Sequence, residues 1–406
     1  MKDRINIGYI GCGRRGFRVL SQALAYMDDI TITMLCDLHP QRMEAAANAL
    51  TEQGKPMPTM TDNYQDLLQS PDVDAIVIMT DWHSHKQLIL DALMAGKPTA
   101  VEVGCTYDIR DCFDIIDVYE RTGTPLMMLE NCCYSRREMM ALHMAAQGAL
   151  GEIVHCTGGY HHNLLERELF FDIDNPVRHY RLDDYAQHNC EQYPTHELGP
   201  ICKLLHINRG NRLVSLSSFS SKARGLKAYT EAHFPDDSEF RQMEFIQGDI
   251  VTTCITCAGG ETIVLTLDTT LPRSHYSRNF TVRGTKGMIS EEGRTVYLEG
   301  MPEQTGNEDE MYALWQHPLH REFATEEKKG THNGMDWLVT RAFIESVKAG
   351  TNTPIDAYDT VTWMAIAALS EQSIRQNGAP VEVPDFTGGK WQNREPAAKG
   401  KYSLDY

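Results

Sequence analysis

Apolar and polar positions along this chain follow two different rhythms. In the first 150 residues, short continuous apolar runs alternate with stretches of helical period. That is the pattern of strands buried on both faces with helices packed between them. The runs are Ile5–Ile10, Ile30–Cys36, Val73–Met79, Thr99–Glu102 and Pro125–Leu129. The spacing predicts helices over Arg14–Met27, His39–Gln53, Asp62–Gln69, Ser84–Ala95, Asp108–Arg121 and Ser135–Gln147. Strands alternating with helices imply right-handed crossovers and a doubly wound parallel sheet. In such a sheet, ligands bind beyond the carboxyl ends of the strands. Those ends here are Gly11, Asp37, Thr80–Trp82, Glu102-Val103 and Glu130-Asn131.

From Glu152 onward the rhythm changes to longer, strand-like runs. They are Ile153–Tyr160, Leu213–Ser220, Ile250–Cys257, Thr262–Thr269, Phe280–Arg283 and Thr295–Leu298. Turn signals such as Ala258-Gly259-Gly260-Glu261 separate them, as in an antiparallel sheet. Between the first two lies a polar, aromatic, histidine-rich stretch from His161 to Gln192, followed by a helix over Thr195–His206. Helices over Asn333–Lys348 and Tyr358–Gln376 are placed to return to the first domain. The expected architecture is α/β: a doubly wound domain over 1–150, an α+β domain with a large, mostly antiparallel open sheet over 151–385, and a polar tail over 386–406.

Composition narrows the function. The 406 residues suit two domains, and 42% apolar content is enough for sizeable cores. A net charge of −18 argues against nucleic acid and anionic membrane surfaces as partners. Eleven cysteines form no regular framework, and several sit inside apolar runs, which fits a reducing compartment. No apolar run reaches the length of a membrane span, and Met1–Arg4 leads straight into the first strand. A cytoplasmic location is therefore expected, although a longer precursor that had lost its leader would read the same way.

The first strand runs into Gly11-x-Gly13-x-x-Gly16. In a dinucleotide fingerprint the first glycine allows the tight turn, the second admits a pyrophosphate, and the third lets helix and strand pack closely. The next helix aims its free N–H groups at the phosphates. Asp37 ends the second strand, roughly twenty residues past the last glycine, where an acid accepts the ribose hydroxyls. This context makes the turn a Rossmann site, and the acid selects NAD over its 2′-phosphorylated form.

Tyr193-Pro194-Thr195-His196 opens a helix with an apolar face. Tyr193 and His196 suit proton transfer during a hydride step. A cap and a hydrogen-bonded core histidine fit the same four residues. His83-x-His85 and His161-His162 lack a spaced third ligand, so no metal is expected. Cys254 and Cys257 point to opposite faces of a strand. Glu166, Glu168, Asp172, Asp174, Asp183 and Asp184 read as a solvated loop in preference to a carboxylate pair.

The glycine turn, the acid after the second strand, a Glu ending the fourth run and a helix bearing a His resemble the Gfo/Idh/MocA oxidoreductases. That family's Glu-Lys-Pro is Glu102-Val103-Gly104 here, and the Asp four residues before its His is Gln192. One branch shares these departures. Gly13–Gly16, Trp82-x-x-His85, Glu102-Val103, Glu130–Tyr134, Tyr193–Pro200, Tyr276-Ser277-Arg278 and His332–Asp336 resemble the family 109 glycoside hydrolases. The third residue of that branch's Glu-Val-Pro is Gly104 here, and Glu197 stands where a Gly is common.

The resemblance implies an NAD-dependent glycosidase, similar to α-N-acetylgalactosaminidases. Hydride is taken from carbon 3, the glycosidic group leaves by elimination, water adds, and the hydride returns. The resemblance places NAD on Gly11, Gly13, Arg15, Gly16, Asp37, Trp82, His85, Glu102, Val103, Asn131, Tyr193 and His196. It places the sugar on Tyr160, Arg181, Tyr193 and Tyr276, with His196, Tyr193 and Tyr276 catalytic. A sugar dehydrogenase with net cofactor turnover is the alternative, and a non-catalytic NAD and sugar binding protein the third reading. The expected partners are a small glycoside and a second copy of the chain, held through the open sheet.

Overall fold

The computed structural model describes residues 3–171, 178–323, 332–396 and 400–406. Its first sheet holds β1 (Ile5–Ile10), β2 (Ile30–Cys36), β3 (Thr59–Thr61), β4 (Ala75–Ile78), β5 (Thr99–Val101) and β6 (Leu126–Met128). They are ordered β3-β2-β1-β4-β5-β6 and pair in parallel throughout. This is the doubly wound order, with its crevice where the strand order reverses between β1 and β4. The helices are α1 (Arg14–Gln22), α2 (Pro40–Glu52), α3 (Tyr64–Gln69), α4 (Trp82–Met94), α5 (Ile109–Thr122) and α6 (Arg136–Ala146). Two expectations are corrected. β3 is an extra edge strand, too short and polar to stand out. The first helix ends at Gln22, and a separate 3-10 turn over Leu24–Tyr26 completes the expected run.

The second sheet holds β7 (Ile153–His161), β8 (Leu213–Ser220), β9 (Ile250–Cys257), β10 (Thr262–Asp268), β11 (Thr281–Gly284), β12 (Gly287–Ser290), β13 (Thr295–Leu298) and β14 (Val381–Glu382). Their order is β13-β12-β11-β7-β10-β9-β8-β14. Only β7 and β10 pair in parallel; the other neighbours are antiparallel. β12 and β14 are short strands that the sequence pattern did not mark. The helices of this half are α7 (Tyr180–Gln187), α8 (Thr195–Leu204), α9 (Gly225–His233), α10 (Glu239–Gln242), α11 (Glu308–Trp315), α12 (Pro318–Phe323), α13 (Met335–Ala349) and α14 (Ala357–Arg375). α7 corrects the loop reading of Asp183 and Asp184, and Asp184 is buried on it.

One apolar cluster runs from β1 through α8 and α14 to Val282 and Ile289 on the inner face of the second sheet. α14 is buried nearly along its whole length, so it serves both halves. A capping box on Asp356 and Asp359 starts it. The end of the expected tail packs down on the chain: Leu404 is buried, and the Tyr406 hydroxyl donates to the Leu204 carbonyl at 2.9 Å. Among the described residues, no helix is long and apolar enough to cross a membrane.

Candidate active site

The glycine turn has the geometry a dinucleotide requires. Gly11 sits at φ +95°, and a Cβ there would lie 2.7 Å from the Met79 backbone. A Cβ on Gly16 would lie 2.1 Å from the Gly11 carbonyl oxygen, so helix and strand touch through this residue. At Gly13 the opposite holds: a Cβ would meet nothing nearer than Arg42 Nη1 at 3.9 Å. Any side chain there would fill the space in front of α1, whose start carries no side-chain cap. Asp37 is fixed facing this space, its carboxylate accepting the Cys12 N–H at 2.7 Å and the His39 N–H at 2.9 Å. An uncapped helix start, an open Gly13 and an aimed acid fit a dinucleotide.

The other expected cofactor residues stand at neighbouring strand ends. Glu102 accepts from Arg15 Nε at 3.0 Å, and Val103 is buried. His85 is buried against the Thr80 carbonyl, at 3.1 Å from Nε2, and burial lowers its pKa to about 4. Its ring is therefore neutral, with Nε2 as donor. Gly104 leaves it room: a Cβ there would come 2.8 Å from His85 Nδ1.

The expected sugar residues come together although they are scattered along the chain. The Tyr160 and Tyr193 rings stack at 4.2 Å between centroids. His196 meets Tyr193 edge-on at 4.7 Å, and Tyr276 stands 6.1 Å from Tyr160. The Arg181 guanidinium lies 5.0 Å from the Tyr193 ring and 4.7 Å from Trp82. Tyr193 also packs against all three apolar clusters found among the described residues, which places it at their junction.

His196 has a partner that its sequence reading lacked. Its Nδ1 donates to the Glu130 carboxylate at 2.9 Å and 3.1 Å, and the Glu130 side chain is wholly buried. Burial works to raise the Glu130 carboxyl. The charge of His196, with hydrogen bonds from His196, Thr195 and the Cys132 N–H, outweighs it and holds the group below the usual range. A carboxylate only accepts, so Nδ1 carries a proton in either state of the ring, and in the neutral ring Nε2 is left as an acceptor. The signal was available, because Glu130 follows β6, at one of the strand ends where such sheets bind ligands. His162 was also missed as a site residue. It bonds the Tyr160 hydroxyl at 2.9 Å and meets the Tyr276 ring at 5.2 Å.

The weaker candidates separate. His83 pairs with Asp184 at 3.0 Å while His85 turns to Thr80, so the two do not converge. Glu168 lies 3.8 Å from His179, and Asp183 pairs with Arg178. Asp172 and Asp174 lie outside the described residues. Cys254 is exposed and Cys257 buried, on opposite faces of β9. Glu130, Cys132 and His196 place potential ligand atoms within 4.8 Å of one another, a proximity the His196–Glu130 hydrogen bond accounts for. Gln192 is buried, and neither amide atom has a hydrogen-bond partner among the described residues.

Comparison with known proteins matches both halves. Residues 5–130 match the oxidoreductase family with an NAD-binding Rossmann fold, and residues 134–393 match the C-terminal domain of glycosyl hydrolase 109. A glycosyl hydrolase family 109 protein of Stenotrophomonas maltophilia is 38% identical, covering 98% of this chain and 93% of its own. An alpha-N-acetylgalactosaminidase of Tannerella forsythia is 34% identical over 97% of this chain and 88% of its own. Among solved structures, an NAD-binding oxidoreductase from Klebsiella pneumoniae has the same fold at a TM-score of 0.73 and 17% identity, over 94% of this chain and all of its own. Levoglucosan dehydrogenase in complex with NADH superposes at 0.69 with 17% identity, over 94% of this chain and 99% of its own.

Proposed function

The chain belongs to glycosyl hydrolase family 109, and on that premise we propose that it hydrolyses α-N-acetylgalactosaminides with NAD as its resident cofactor. The observation that carries this reading is the His196–Glu130 pair. His196 of that pair meets the stacked Tyr193 and Tyr160 rings, and Tyr193 neighbours Arg15 of the glycine turn shaped for a dinucleotide. When bound, NAD supplies a reversible hydride acceptor for the sugar. The chain's own residues do the rest. Glu130 holds His196 in one tautomer, leaving Nε2 to take and return a proton. Tyr193 and Tyr276 hold hydroxyls against the sugar, and the Tyr160 ring gives a flat apolar floor. Arg181 orients the substrate's polar substituents. Asp37 accepts the ribose hydroxyls and repels a 2′-phosphate, which favours NAD.

A panel of nitrophenyl glycosides, with absorbance at 340 nm followed in parallel, tests the reading. The expected result is nitrophenol release from the α-N-acetylgalactosaminide with no reduced cofactor beyond the enzyme concentration. Reduced cofactor accumulating with product would make the chain a dehydrogenase. In heavy water, the released sugar is expected to carry deuterium at carbon 2 and none at carbon 3. Without label at carbon 2, a two-carboxylate hydrolysis would replace this reading.

A second copy of the chain is proposed as its partner, packed on the outer face of the second sheet. That face carries Cys254 with Val264 and Ser217 on the neighbouring strands. Sedimentation velocity checks this, and a monomer at all concentrations would dismiss it.

A further inference from the structure

The stretch His332–Asp336 has no part in the chemistry above, yet its backbone is costly. His332 (φ 52°), Asn333 (φ 56°) and Gly334 (φ 86°) are three successive residues in the left-handed region. Outside glycine this conformation is unfavourable, so the surroundings must hold the turn in place. The turn brings His332 back onto Asp336, whose side chain is wholly buried.

The Asp336 carboxylate sits at a crossing. It accepts from Arg15 Nη1 and Nη2, both at 2.8 Å, from Asn131 Nδ2 at 2.7 Å and from His332 Nδ1 at 2.8 Å. Burial would raise this carboxyl, but the hydrogen bonds and charges of Arg15 and His332 outweigh it and hold the group far below the usual range. Arg15 in turn donates its Nε to Glu102. Arg15 is in the first turn of α1, Glu102 follows β5, and Asn131 follows β6. One carboxylate on α13 thus fastens three walls of the dinucleotide site. A buried ion pair is weak evidence of stabilisation, because apolar residues of similar size often serve the fold as well. What such a pair adds is fixed geometry.

We propose that Asp336, held by its left-handed turn, is a positioning residue for the cofactor. It sets Arg15 and Asn131, and through Arg15 it sets Glu102, before NAD arrives. The proposal rests on reading the glycine turn as an NAD site. Failure of the wild-type chain to bind NAD would remove that reading first.

The test uses the full chain stripped of cofactor, with NAD affinity by calorimetry and melting temperature without NAD. Asp336→Asn keeps the size and removes the charge. NAD dissociation is expected to rise on the order of tenfold to a hundredfold, the range for residues that orient the ligands of another group. In an Arg15→Gln background the same change is expected to cost clearly less than it does alone, because the Arg15 contact is already lost and only the hold on Asn131 and His332 remains to be removed. Unchanged affinity in Asp336→Asn, with or without a lower melting temperature, overturns the proposal and leaves a structural residue. Additive losses in the double variant also overturn it. Should Asp336→Asn not fold, His332→Ala removes a single donor and leaves the Arg15 pair intact. It is expected to weaken NAD about threefold, roughly the loss of one modest hydrogen bond, and full affinity there overturns the proposal as well.

Discussion

At the dinucleotide end of the site, the determinants are backbone and contiguous. Gly11, Gly13 and Gly16 are set by one turn, and each works through the atom it lacks. At the aromatic end, the determinants are side chains drawn from β7, α7, the start of α8 and the segment before β11. Tyr160 and Tyr276 are separated by more than a hundred residues, and only the folded sheet makes them neighbours. A site written into one turn tolerates change around it and none within it. A site assembled from distant side chains can lose one member and keep its shape. The first kind binds the same ligand across many enzymes, whereas the second is free to change substrate.

Substitutions can break this contrast. The largest effect is expected at the aromatic end from His196→Ala. Glycosidase activity should fall on the order of a hundredfold or more, the range for a lost acid–base group. NAD affinity by calorimetry should stay near wild type, and a matching loss of affinity would show that the two ends are not separable. At the cofactor end, acid should act through His85. Its neutral form is the one the fold holds, with a pKa near 4 against an ordinary 6.5. The unfolded chain therefore binds a proton first as pH falls, and stability drains away between about pH 6.5 and pH 4. The limit is on the order of 3 kcal/mol for this group. Urea unfolding of His85→Gln should lose correspondingly less across that interval, and equal losses in both proteins would refute the assignment.

Gly104→Ala should come next, at roughly 1–3 kcal/mol, the usual cost of forcing a methyl into filled space. The added Cβ displaces the His85 ring, so weaker NAD binding should accompany the lower melting temperature. The smallest change should be Tyr160→Phe. It keeps the stack on Tyr193 and deletes only the bond to His162, about 1 kcal/mol. A several-fold rise in KM with kcat unchanged would sharpen the picture of Tyr160 as a floor.

How far each end could be read from sequence follows from the same physics. Continuous apolar runs and a glycine turn are local signals, and β1, β2, the glycine turn and Asp37 fall where they were expected. β3, β12 and β14 are strands too short to carry a period, and their partners define them. α7 lies in a stretch whose polar and aromatic residues hide a helical face, because Arg181 and Asp184 on it are buried. Motif resemblance pointed to Tyr193, His196 and Tyr276, but the Glu130 contact joins the segment after β6 to α8, a pairing no spacing rule contains. Asp336 is the extreme case, reaching Arg15 across the length of the chain.

The cysteines offer a practical consequence. All eleven are free, and Cys254 alone is exposed, facing outward from the middle of the second sheet. A thiol-reactive fluorophore should therefore attach at one position on the native chain, without mutagenesis, on the face where a second copy is proposed to pack. The labelling rate would then report on assembly: slower modification as protein concentration rises would mark that face as occluded, and a rate independent of concentration would mark it as bare.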